Sequence, residues 1–358
     1  MPKTKIDLMS NGVGAGELAQ ALLKGTSTDK MRPFVHTDGK SYMTVHLGGD
    51  KNNPANYKAV PSTNAGTLQR DEWKHLDTAV VSIAETRLVG IQDLITRGLV
   101  YNLGNAMGTT VLENHDSSDA MSAELTMDGV ARGKGDRPVY STSYLPIPII
   151  HSDYEINARV LEASRRMGNP LDATGAERAA RKVAAKLETM LFTDETYAFG
   201  GGTIYSYLSH PNINTATLGT AWDASGVTGK NIVDQVLEMK QTSIAAKHYG
   251  PFMIYIPTSY ETKMDEDYST AKGSNTIRER IMQIDGILGV KVVDTLTADN
   301  VLLVQMTSDT VRLVRGMDIT NVQWQTEGQF INKYKVMTIQ VPQIRSDYNG
   351  ACGVTLLS

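Results

Sequence analysis

The chain has 358 residues, 41% hydrophobic and 21% charged, with 35 lysines and arginines against 39 aspartates and glutamates for a formal net charge of −4. Such a composition belongs to a folded chain of two or three modules and excludes a mainly disordered or collagen-like one, while the balanced charge supplies no global field for nucleic acid. No run approaches the roughly 18 apolar residues of a membrane helix, and the single cysteine, Cys352, has no partner for an internal disulfide.

The first residues carry Lys3 and Lys5, but Asp7 and Ser10 interrupt any apolar signal core, so export by a secretory leader is not expected. Residues 1–70 read as an arm. A short helix over 17–24 is followed by turn-formers, Gly48-Gly49-Asp50, Asn52-Asn53-Pro54 and Pro61-Ser62-Thr63-Asn64, which break regular structure. From Asp71 the spacing of Trp73, Leu76, Val80, Ile83 and Ala84 predicts one amphipathic helix running loosely to Leu99.

Strand-like segments over 109–115 and 139–150 then flank a turn-rich middle, the pattern of a long two-stranded loop. An isolated hairpin is marginal in water, so this loop needs a partner surface. Ser152-Asp153-Tyr154-Glu155 has capping-box spacing and predicts a helix through Met167. Ala176, Ala179, Ala180, Val183, Ala184, Leu187, Met190 and Leu191 mark the best-patterned helix of the chain. Its other side carries Arg178, Arg181, Lys182 and Lys186, interrupted by Glu177 and Glu188, and reads as a solvated face. Gly200-Gly201-Gly202 marks a turn, and 209–229 a polar linker. The remainder reads as α/β, with helices over 231–246, 260–267 and 276–284 and strands over 252–256, 290–293, 301–306, 311–314, 335–341 and 354–357.

Chemistry-bearing motifs are sparse. Gly12-Val13-Gly14-Ala15-Gly16 has Glu17 where a dinucleotide fingerprint needs its third glycine, and no buried strand precedes it. The seven histidines do not pair at metal-ligand spacing, and Asp265-Glu266-Asp267 lacks the alternating ligands of a calcium loop. No nucleophile elbow appears, and Cys352, without a local base, reads as an inert buried thiol. No catalytic, metal or cofactor site is predicted.

The order of parts carries a resemblance. Leu145-Pro146-Ile147-Pro148-Ile149-Ile150-His151-Ser152-Asp153-Tyr154-Glu155-Ile156 looks like the strand leaving an extended loop; Ala179-Ala180-Arg181-Lys182-Val183-Ala184-Ala185-Lys186-Leu187-Glu188 resembles a spine helix; and Val322-Gln323-Trp324, Lys335-Val336-Met337-Thr338-Ile339-Gln340-Val341-Pro342 and Asp347-Tyr348-Asn349-Gly350 look like a closing sheet. From Asp71 onward the chain resembles the major capsid proteins of tailed bacteriophages with the Hong Kong 97 fold, and their relatives the encapsulins.

The resemblance implies an α+β fold with an N-terminal arm (1–70), peripheral-domain helices (71–101), an extended loop (102–150), a peripheral domain with the spine helix (151–228), an α/β axial domain (229–328) and peripheral-domain return strands (329–358). It further implies a structural protein rather than an enzyme: hexamers and pentamers of itself closing into an icosahedral phage head around double-stranded DNA, assembled in the bacterial cytoplasm without a cofactor or membrane. Scaffolding, portal and decoration proteins and non-specific DNA contact are its expected further partners. Arg132, Lys134, Asp136 and Arg137, in the loop tip and its return, are the candidate intersubunit charge contacts, and Lys134 with Asn349 would be the pair for an isopeptide crosslink. An encapsulin shell is the alternative within the class; a cytosolic enzyme of unknown type is the alternative outside it.

Overall fold

The computed structural model describes residues 32–46, 53–61, 68–87, 89–104, 106–118, 125, 127, 137, 139–167, 173–269, 275–327 and 330–358. The expected helix over 17–24, the glycines of 12–16, and Arg132, Lys134 and Asp136 lie outside them.

The end of the arm contains regular structure that the turn-formers had argued against. Strands β1 (Phe34–Val35), β2 (Ser41–His46), β3 (Tyr57–Pro61) and β4 (Leu68–Gln69) form a small sheet in the order β3-β2-β1-β4. Tertiary contact supplies what local propensity does not. Phe34 and Leu68 bury against Trp73 and Leu76 of helix α1 (Arg70–Arg87), the Trp73 indole N–H donates to the Pro33 carbonyl at 3.1 Å, and Arg32 lies over the Trp73 ring while gripping both Asp77 oxygens at 2.5 Å.

The single long helix expected from Asp71 is two helices, α1 and α2 (Val89–Thr96), followed by strand β5 (Val100–Asn102). Strands β6 (Val111–Ser117) and β7 (Tyr140–Pro146) pair antiparallel as expected, from Val111 opposite Pro146 to Ser117 opposite Tyr140.

Ser152–Glu155 does not cap a helix; it lies within strand β8 (Ile150–Asn157). Ile150, Ser152, Tyr154 and Ile156 turn inward while His151, Asp153, Glu155 and Asn157 face solvent, a period of two that satisfies the backbone by pairing rather than capping. The helix starts later, at α3 (Ala158–Met167), where Asn157 Oδ1 accepts the Arg159 N–H at 2.9 Å. The predicted spine is α4 (Thr174–Phe192), and its alanine-rich stripe is buried. The small side chains of Ala176, Ala179 and Ala180 bring α4 close to α1, β8 and the long strand β16 (Ile331–Ile344). Strand β15 (Val311–Glu327) completes a four-stranded sheet in the order β5-β15-β16-β8.

After the turn joining β9 (Tyr197–Phe199) to β10 (Gly202–Ile204), the segment expected as a linker forms β11 (Asn214–Ala216) and buries Trp222, whose ring stacks on Tyr260 at 5.3 Å. The polar residues around Trp222 masked that one anchor. Helices α5 (Gly229–Ala245), α6 (Glu261–Met264) and α7 (Ile277–Met282) and strands β12 (Phe252–Pro257), β13 (Ile287–Val293), β14 (Val301–Gln305) and β17 (Val354–Leu357) complete an α/β layer. Its five-stranded sheet runs β11-β17-β14-β12-β13. Both faces are covered, so β12 and β14 are buried along their whole length and apolar but for Gln305 at the end of β14. Phe252, Ile254, Ile256, Val301 and Leu303 pack toward α5, and Met253, Tyr255, Leu302 and Val304 toward α2 and α4.

Candidate assembly surfaces

The hairpin β6–β7 is a two-stranded sheet, with no third strand hydrogen-bonded to it among the described residues. Its root is built into the body. Leu145 and Ile147 are buried with Met190, Ile204, Ile339 and Val341, Arg345 pairs with Asp116 at 3.8 Å, and the Arg312 guanidinium donates to Asn114 at 3.4 Å and Gln343 at 2.7 Å. Further out, the apolar side chains are uncovered: Tyr140 is 70% exposed, Val139 and Tyr144 are exposed, and so are Leu125 and Met127 between the strands. Tyr197 and Phe199 extend the apolar surface on β9, which packs beside β7. A cavity of about 340 Å³ opens at the same root, lined by Ile149, Ile150, Met190, Tyr197 and Ile204.

A second exposed apolar group marks the far end of the four-stranded sheet. Phe330, 73% exposed, sits between β15 and β16, its carbonyl accepting the Ala158 N–H at 2.8 Å, and α3 exposes Val160. A third lies on the α/β layer, where Leu237, Tyr249, Met282 and Leu288 are exposed. Contiguous uncovered apolar surface is the mark of an interface, whereas scattered single residues are ordinary; β7 with Tyr197 and Phe199 of the adjacent β9 fits the first description.

Of the four charged candidates, Arg137 alone falls within the described residues, exposed just before β7, and Arg132, Lys134 and Asp136 lie outside them. Asn349 is exposed in the turn closed by the Asp347 carboxylate on the Ala351 N–H at 2.6 Å. Its proposed partner Lys134 lies outside the described residues. The basic side of α4 faces solvent, with Lys186 paired to Glu195, and Asp265 and Glu266 are paired with Arg278 and Lys263. Glu188 departs from its expected place. It is buried among the apolar stripe, four residues beyond Ala184, a helical spacing that would have revealed it. Burial raises the Cys352 thiol to about 11. Among the described residues no three His, Cys, Asp or Glu side chains converge as a metal site, and no helix is long and apolar enough to cross a membrane.

This arrangement of projecting hairpin, long helix on a long-stranded sheet, and α/β layer is a mixed α+β architecture, the Hong Kong 97 capsid fold. The virus-like particle of Pyrococcus furiosus superposes with a TM-score of 0.58, covering 80% of this chain and 99% of that one at 18% identity. The capsid of Myoviridae phage XM1 gives 0.57, covering 75% and 91% at 11% identity. In sequence, the type 1 encapsulin shell protein EncA of Myxococcus xanthus (strain DK1622) is 23% identical over 239 residues, 65% of this chain and 71% of EncA. Residues 63–356 match the family described as "Family of unknown function (DUF6260)", and the chain belongs to that family.

Proposed function

We propose that this chain is a major capsid protein that assembles with copies of itself into hexamers and pentamers of an icosahedral phage head enclosing double-stranded DNA. The hairpin carries the proposal: a two-stranded projection with exposed Tyr140 and Tyr144, rooted in a fold shared with solved shells, gains a stable environment by lying on a neighbouring copy. In this reading residues 102–150 are the extended loop, 71–101, 151–228 and 329–358 the bulk of the peripheral domain, 229–328 the bulk of the axial domain and 1–70 an arm reaching other subunits; these bounds are not those of the sheets, since β11 and β17 pair within the five-stranded sheet and β15 within the four-stranded one. Closed symmetry makes the chain its own principal partner. A net charge of −4 suits copies that pack together, because little like-signed field opposes assembly. Scaffolding, portal and decoration proteins would be its further partners, the virion its destination, and DNA contact sequence-independent.

A second reading is a protein nanocompartment, favoured by the likeness to EncA. Contents separate the two. Particles recovered from the native source should hold genomic DNA if the chain is a phage capsid protein, and a copurifying enzyme with little DNA if it is an encapsulin.

A further inference from the structure

Two carboxyl groups and one ammonium meet at the junction of α2, α4 and the five-stranded sheet. Glu188 of α4 is 4% exposed; its Oε1 accepts the Gly90 N–H of α2 at 2.9 Å, and its Oε2 is buried without a partner among the described residues. Asp93, one turn further along α2 and 5% exposed, accepts the Tyr255 hydroxyl of β12 at 3.0 Å and pairs with Lys291 of β13. Tyr207 stands on the remaining side, its hydroxyl also buried without a partner, with Cys352 behind it. With both carboxyls ionised, the described residues of this junction would set two buried anions against one partly exposed ammonium. A buried unpaired charge costs far more than a retained proton.

We propose that Glu188 and Asp93 form a proton-operated latch between the long helix and the α/β layer: with Glu188 protonated α2 seats on α4, and loss of that proton sets two anions against each other and loosens the junction. Burial, opposed by the Gly90 and Ile91 N–H groups and reinforced by the Asp93 charge, raises the Glu188 carboxyl to about 8, so the latch changes state on the alkaline side of neutrality. A protonated Oε2 is a donor, which the orphaned Tyr207 hydroxyl is chemically suited to accept. The latch is internal to one chain and stands or falls apart from the shell proposal.

Infrared spectroscopy of the full chain tests it. The wild type should show a protonated-carboxyl C=O band at about pH 7 that falls to half its height near pH 8. Glu188→Gln should lack the band, and Asp93→Asn, which removes the neighbouring anion, should move its midpoint to lower pH. Absence of the band in the wild type at neutral pH, its persistence in Glu188→Gln, or an unmoved midpoint in Asp93→Asn would each overturn the latch. The wild-type spectrum decides even where a variant does not fold.

Discussion

Gly202 lies so close to the carbonyl of Tyr144 that a Cβ on it would fall 2.0 Å from that oxygen. This contact seats the β9–β10 turn against the second strand of the hairpin, and it is open only to a residue without a side chain. Gly202→Ala should therefore shift the hairpin root and destabilise the chain by about 1–3 kcal/mol, as overpacking does elsewhere. Chemical denaturation of the full chain measures it; unchanged stability would mean that Tyr144 gives way freely.

The root and outer part of the hairpin should separate in their effects. Leu145→Ala empties a buried site and should cost about 2–5 kcal/mol of folding stability. Tyr140→Ser acts on an exposed side chain and should change folding stability by no more than about 0.5 kcal/mol while reducing the yield of assembled particles. Denaturation read beside size exclusion distinguishes these outcomes.

Trp222 anchors a segment that otherwise has the composition of a linker. Trp222→Ala should cost about 3–5 kcal/mol and loosen the α/β layer, visible as faster amide exchange in α5 and β12.

The buried imidazole of His210 predicts an acid-side loss of stability. Desolvation holds it below the ordinary value of 6.5, with its Nδ1 accepting the Asn212 N–H at 3.3 Å. The unfolded chain then binds more protons than the folded one, so stability falls as pH drops through 6.5 and toward the folded value. Glu188 acts in the opposite sense: its folded value of about 8 exceeds the ordinary 4.5, so stability falls as pH rises between them, at up to about 1.4 kcal/mol per unit. Melting midpoints should decline less toward acid in His210→Gln than in the wild type, and less toward alkali in Glu188→Gln.

What was legible in the sequence was whatever repeats. The alanine and leucine stripe of α4 and the unbroken apolar run of β12 each encode burial over several turns or residues, and both elements stand where their patterns put them. The strands of 34–69 were not legible, because two of them span only two residues and draw their stability from Trp73 and Asp77, distant in sequence. Ser152–Glu155 misled because a four-residue capping pattern was outweighed by eight residues of pairing with β16. Glu188 reads from sequence as part of the solvated side, because a single acid on an alanine-rich helix looks like surface until its register with Ala184 is counted. The latch with Asp93, Lys291 and Tyr255 joins residues up to 198 positions apart, a juxtaposition that only the folded chain displays.

The most direct test of the shell proposal is negative-stain electron microscopy of the purified full chain, with its size read by gel filtration. Closed particles in the megadalton range, built from one chain species, are the predicted result. A discrete monomer or dimer at every concentration, with no larger species, would contradict it.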